Sequence, residues 1–254
     1  MIKRIFVLTL SILLSIQLIG CSNQNTDMSN PYRLGDIISY NADKTSLECL
    51  ISTDKVKVNN DKYITFTPTE NVKSTGFIFY PGGLVEPEAY APVMKQIAEQ
   101  GYTVVVVKMP INLAVLNYNK AEDVISEYSN IDSWVIGGHS LGGVMACKYA
   151  AQNDKIRGVV LYASYPQNDS LKDTDKEVLS LWGSEDKVAS IEKILDGKNK
   201  VNSNSKFIEI KGGNHAHFGD YGEQKGDGES TISPEEQWLQ TARYTVEFLD
   251  NIES

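Results

Sequence analysis

Short apolar runs alternate with segments of helical periodicity along most of the chain. Phe77-Ile78-Phe79-Tyr80 is an apolar run halted by Pro81-Gly82-Gly83, the pattern of a buried strand entering a tight loop. Residues 86–100 then carry Tyr90, Val93, Met94, Ile97 and Ala98 at helical spacing, with Gly101 as a C-terminal stop. Residues 102–107 form a β-branched run typical of a strand covered on both faces. The same reasoning predicts strands over 134–136, 159–162, 178–182 and 207–210. It predicts helices over 120–129, 140–151, near 191–195 and over 235–252. Upstream, residues 47–52 and 63–67 read as short strands joined by the polar stretch 53–61. Strand and helix alternate from Phe77 onward, which predicts an α/β fold: one domain, a mostly parallel sheet, helices on both faces. Residues 165–176 leave room for a short excursion and not for a large cap.

The N-terminus has a different pattern. Lys3 and Arg4 precede a mostly apolar stretch, residues 5–19, interrupted by Thr9, Ser11, Ser15 and Gln17. About 15 residues is short of the roughly 20 a spanning helix needs, so an export signal is expected, with an uncleaved anchor helix as the alternative. Leu18-Ile19-Gly20-Cys21 resembles the bacterial lipobox. That resemblance implies a diacylglyceryl group on the Cys21 sulfur, cleavage before Cys21, and N-acylation. Two or three acyl chains suffice for stable anchoring where one is marginal. The expected organisation is a signal peptide over 1–20, an acylated cysteine and flexible tether over 21–45, and one folded domain over 46–254. The expected location is the extracytoplasmic face of the cell membrane.

Composition narrows the function classes. At 41% hydrophobic residues, the chain is too apolar to be disordered. Its formal net charge of −9, which loss of Lys3 and Arg4 with the leader would take to −11, disfavours nucleic acid, anionic polymers and acidic substrates. Three cysteines do not make a disulfide scaffold. Cys49 and Cys147 sit among apolar neighbours and read as core thiols, with a disulfide between them as the alternative in an exported protein. No zinc-ligand spacing, phosphate loop or dinucleotide fingerprint occurs, so no cofactor is expected. The acidic loop 219–229 carries Asp220, Glu223, Asp227 and Glu229. A calcium site is conceivable there, but a solvated loop packed under the neighbouring turn is the preferred reading.

Gly138-His139-Ser140-Leu141-Gly142 is a G-x-S-x-G sequence between an expected strand and an expected helix. A sharp strand–serine–helix turn needs small residues on both sides, and Gly138, Gly142 and Gly143 supply them. Such a turn lifts the Ser140 hydroxyl clear of the sheet and sets it at a helix N-terminus. A serine nucleophile needs a base. His215, in a loop after an expected strand, is the first candidate and His217 the second; His139 reads as packing. An acid must orient the base, and Asp186 is preferred over Glu185. The chain order Ser140, Asp186, His215 is the order this turn requires. Leu141 N–H, with the N–H of Gly83 or Leu84, is the expected oxyanion hole. Met109, Tyr165, Phe218 and Tyr221, beside these loops, are candidate pocket residues.

With Phe79-Tyr80-Pro81-Gly82-Gly83, the Gly137–Gly143 turn and the segment from Gly212 to Gly222, the chain resembles the α/β-hydrolase superfamily from about Leu47 onward. The resemblance is nearest to small, lid-poor hydrolases related to dienelactone hydrolase, among bacterial lipoprotein hydrolases. It implies an eight-stranded, mainly parallel sheet and a Ser140–Asp186–His215 triad. Pro81-Gly82-Gly83 stands where the family carries a His-Gly, so the second oxyanion donor stays open between Gly83 and Leu84. The expected activity is ester hydrolysis through an acyl-enzyme, with a small-molecule ester as substrate. Thioester, lactone or amide cleavage, acyl transfer, and a non-catalytic ligand-binding lipoprotein are the alternatives.

Overall fold

The computed structural model describes residues 39–253. Cys21, the leader and most of the expected tether lie outside the described residues. In chain order the elements are α1 (Lys44–Cys49), β1 (Val56–Asn60), β2 (Ile64–Pro68), β3 (Thr75–Tyr80), α2 (Ala91–Ala98), β4 (Thr103–Val106) and α3 (Ala121–Glu127). Then follow β5 (Ser133–His139), α4 (Leu141–Ala150), β6 (Ile156–Tyr162), β7 (Glu177–Gly183), α5 (Ile191–Asp196), β8 (Lys206–Ile210) and α6 (Pro234–Glu253). The eight strands form one sheet in the order β1-β2-β4-β3-β5-β6-β7-β8. The β1–β2 and β2–β4 pairs are antiparallel and all others are parallel.

Alternation along the strands sorts the core into two layers. Phe77 and Phe79 of β3 point to the face covered by α2 and α6, with Val104, Tyr162 and Leu181. Ile78 and Tyr80 point to the other face, with Val105, Ile136 and Leu161, under α3 and α4. Both faces being covered is why β3 and β4 are buried at every position instead of every second one. Each such fully buried aromatic or aliphatic side chain stabilises the fold by about 1.5–3 kcal/mol.

The chain leaves β3 to one side for β4 and returns to the other side for β5. That reversal creates a crevice at the C-terminal ends of the parallel strands, the usual place for a ligand in an open α/β sheet. The register pairs Tyr80 with Gly138 and His139 with Tyr162, so the ends of β3, β5 and β6 are level at that rim.

Two expectations upstream are corrected. The expected strand over 47–52 is instead the end of helix α1 and its exit. Its anchors are polar and distant: Ser46 N–H donates to Asp220 Oδ2 (2.8 Å) and Ser46 Oγ donates to the Ala89 carbonyl (3.2 Å), while Leu47 faces solvent. The polar stretch 53–61, expected as a connection, contains edge strand β1. Only Val56 of it is fully buried, so its apolar signal is weak. Ordered packing also starts before residue 46: Tyr40 N–H donates to Leu84 O and Tyr40 O accepts from Glu86 N–H, both at 2.9 Å. Cys49 and Cys147 are free thiols, half-buried and buried respectively. No described helix is long and apolar enough to cross a membrane.

Candidate active site

Strand β5 ends at His139, and Ser140 follows with φ 50° and ψ −121°, a left-handed conformation costly for a residue with a Cβ. The neighbours hold it there. Ser140 N–H donates to Tyr162 O (2.9 Å), and the Ser140 carbonyl accepts from Ser164 Oγ (2.7 Å) and from Gly143 N–H (3.1 Å). The turn closes because Gly138 and Gly142 have no side chains. A Cβ on Gly138 would lie 2.5 Å from the Gly142 carbonyl carbon, and one on Gly142 would overlap the Tyr80 and Pro81 carbonyl oxygens. The serine thus sits at the first turn of α4, as the spacing requires.

Asp186 and His215 reach the same rim from the loops after β7 and β8. Asp186 Oδ2 lies 2.9 Å from His215 Nδ1, and both side chains are buried. Asp186 Oδ1 accepts from the N–H groups of Val188 and Ala189, each at 2.8 Å. Two backbone donors thus hold Oδ1, leaving Oδ2 to the imidazole. A carboxylate acceptor on Nδ1 selects the tautomer with the proton there, leaving Nε2 as the basic nitrogen. Glu185 instead accepts from Ser184 Oγ (2.9 Å), and no hydrogen bond joins His217 to Asp186 among the described residues.

His139 lies between the two halves of the site. Its ring centroid is 4.5 Å from that of His215, which brings the His215 loop over the turn carrying Ser140. No hydrogen bond joins the Ser140 hydroxyl to His215 among the described residues; such bonds often tighten only in the substrate complex. His139 Nδ1 is hydrogen-bonded to Tyr90 Oη (2.9 Å), which also accepts from Gly82 N–H (2.9 Å). Burial, and next the neighbouring His215, hold the His139 imidazole well below its usual range, so it stays neutral.

That neutrality has a consequence for stability. An unfolded chain binds a proton on this group near its ordinary value of 6.5, and the folded chain does not. The contribution is whole above about pH 6.5 and falls below it by about 1.4 kcal/mol per pH unit. Urea unfolding at pH 7.5 and pH 5.5 is expected to show a lower midpoint at pH 5.5, and a smaller drop in His139→Gln. An equal drop in both proteins would refute the assignment to His139.

Of the three N–H groups expected to form the oxyanion hole, the structure leaves two without a partner among the described residues and engages the third. Neither Leu141 N–H nor Gly83 N–H has a hydrogen-bond partner among the described residues. The two residues are adjacent: a Cβ on Gly83 would lie 3.2 Å from Leu141 Cδ2. Leu84 N–H, in contrast, donates to Asn112 O (2.8 Å) and is not free to bind a substrate oxygen.

Of the four expected pocket residues, three are buried in the structure. Phe218 is fully buried and stacks on Tyr162 with centroids 5.4 Å apart. Tyr221 is buried against Tyr40, and its hydroxyl donates to Gln224. Met109 is buried in the layer under α3 and α4. These residues fill the floor beneath the site because the loops turn their apolar side chains inward. Tyr165 is half-buried, with Lys193 Nζ 5.7 Å from its ring centroid. Apolar surface is found instead after β4, where Ile111 and Leu116 are exposed. The carbonyl of Asn112, between them, is the one that holds Leu84.

Several supporting residues escape sequence reasoning. Gln237 of α6 brackets Asn214: its Oε1 accepts from Asn214 N–H (3.0 Å) and its Nε2 donates to Asn214 O (2.8 Å). Tyr90 looks like one more apolar position of its helix, and Ser164 like any loop serine. Among the described residues, no group of three His, Cys, Asp or Glu side chains is arranged to hold a metal ion.

Residues 76–239 match the model of the alpha/beta hydrolase family. The chain belongs to that family, and hydrolysis is the class of activity that goes with it. Among solved structures it resembles the esterase domain of a Rhodothermus marinus protein, with a TM-score of 0.59 at 11% identity over 73% of this chain and 90% of that one. It also resembles a predicted CIB-like hydrolase from Thermoplasma acidophilum, with a TM-score of 0.56 at 18% identity over 77% of this chain and 96% of that one. Both likenesses bear on the fold. No curated protein matches the chain in sequence.

Proposed function

We propose that this protein is a serine hydrolase of carboxylic esters, anchored by a lipid on Cys21 at the extracytoplasmic face of the membrane. The observation that carries the enzymatic part is the buried Asp186–His215 hydrogen bond, with His215 packed against the residue that precedes Ser140. In this reading Ser140 Oγ attacks the ester carbonyl carbon and its proton passes to His215 Nε2. The N–H groups of Leu141 and Gly83 receive the oxyanion. His215 returns the proton to the leaving alcohol, and the acyl group remains on Ser140. A water, deprotonated by His215, then releases the acid. Asp186 keeps its charge throughout and stabilises the imidazolium. The exposed Ile111 and Leu116 beside the oxyanion loop favour an apolar acyl group over a charged one. The anchor rests on Lys3, Arg4, the apolar stretch after them and the lipobox-like Leu18-Ile19-Gly20-Cys21.

The test is turnover of a series of p-nitrophenyl esters of graded chain length, with labelling by a fluorophosphonate. Turnover is expected, with the label on Ser140. A folded protein that neither turns over any ester nor takes the label would instead fit a binding protein on a hydrolase scaffold. Activity in the soluble fraction of its cells, and not in the membranes, would count against the anchor.

A further inference from the structure

The acidic loop 219–229 is not a solvated appendage. Asp227 Oδ2 accepts from Ala216 N–H (2.8 Å), and Asp227 Oδ1 accepts from Lys187 N–H (3.3 Å) and from Gly228 N–H (2.8 Å). Lys187 directly follows Asp186, and Ala216 directly follows His215. One carboxylate therefore joins the loop that carries the acid to the loop that carries the base. Neighbouring bonds run the same way: Glu185 N–H donates to Gly213 O (2.8 Å) and Gly212 N–H donates to Ser184 Oγ (2.8 Å). Asn214 Nδ2 donates to Gly228 O (3.0 Å), closing the acidic loop onto the base loop. Both oxygens of Asp227 face amide hydrogens, which suits an anion and opposes a bound cation. Asp220, the other partly buried acid of the loop, accepts from Ser46 N–H.

We propose that Asp227 is a positioning residue that fixes the Asp186 loop against the His215 loop and so sets the orientation of the imidazole. The role rests on the reading of Asp186 and His215 given above. The chemistry predicts a sharp response to Asp227→Asn. The carboxylate accepts on both oxygens, whereas a carboxamide keeps one oxygen and presents N–H groups on the other side. One of the two loops would then meet a donor facing a donor. The imidazole would lose its fixed bearing, and misplacement on the scale of 1 Å costs up to about 100-fold in rate.

The experiment measures ester turnover and the low-field proton NMR signal of the His215 Nδ1–H bound to Asp186, in the full-length protein and in Asp227→Asn. Expected is a kcat lower by about 10- to 100-fold with KM within about twofold, and a weakened low-field signal, well below the melting temperature of both proteins. A structural role alone would lower the melting temperature and leave kcat and the signal of the folded protein unchanged; that result overturns the proposal. The NMR signal needs no substrate. If the parent protein hydrolyses no ester, the function proposed above fails, while the effect of Asp227→Asn on the signal still decides the role of Asp227. If Asp227→Asn does not fold, amide exchange in the parent decides. Slowed exchange at both Lys187 and Ala216 supports the bridge, and free-loop rates at both overturn it.

Discussion

Ser140→Ala is expected to lower kcat by about 10⁴-fold or more and to abolish labelling by a fluorophosphonate. The fold should survive, because the Ser140 side chain makes no hydrogen bond that holds the turn among the described residues. The backbone does that work, through Tyr162 O and Ser164 Oγ. Alanine also carries a Cβ, so it meets the same left-handed strain that Ser140 already bears at φ 50°. Removing one oxygen therefore separates chemistry from structure. The residual rate over water would come from substrate binding and the proposed oxyanion donors, Leu141 and Gly83 N–H. Steady-state kinetics, with circular dichroism to verify folding, measure this directly. A folded variant that kept most of its turnover would rule out Ser140 as the nucleophile.

Gly142→Ala is expected to do the reverse and to fail in stability before it fails in chemistry. The new Cβ would overlap the carbonyl oxygens of Tyr80 and Pro81. Those are backbone atoms at the end of β3, where Tyr80 is in register with Gly138 of β5, so they have no rotamer with which to give way. Overpacking against rigid neighbours costs about 3 kcal/mol or more. For a domain of this size that is a fall in melting temperature of roughly 6–12 °C. Thermal unfolding followed by circular dichroism tests it; a melting temperature within about 2 °C of the parent would show that β3 and α4 are not in the contact described.

Glycine at 138 is legible in the sequence because its reason is local: a Cβ there would meet Gly142 and Gly143. A strand, a strained serine and a helix crowd into six residues, and any such turn needs the same small neighbours. The apolar runs of β3 to β7 are legible for a related reason, since a strand buried on both faces has few polar positions to spare. Chain order, with Ser140 as the candidate nucleophile, narrows the acid to Asp186 or Glu185 and the base to His215 or His217; the tertiary structure pairs Asp186 with His215. Edge strand β1 and helix α1 escape detection. The edge strand buries little of itself, and the helix is held by Asp220 and Ala89, far along the chain.

Side-chain direction was not legible. Phe218 and Tyr221 sit beside His215 in sequence, but a loop can turn an aromatic ring toward a substrate or toward the core with the same local pattern. The layer of Tyr162, Tyr90 and His139 beneath them decides that. The same holds for Leu84: its amide is adjacent to Gly83, but the loop after β4 arrives and takes it.

Local pattern along the chain specifies the order of strands and helices from β3 onward, the sharp turn at Ser140 and the residue types able to serve it, because each depends on neighbours along the chain. The tertiary structure alone decided which donors stay free, which aromatics become floor, and that Asp227 joins the two loops. Those outcomes depend on partners brought together only when the sheet closes, and no local periodicity records them.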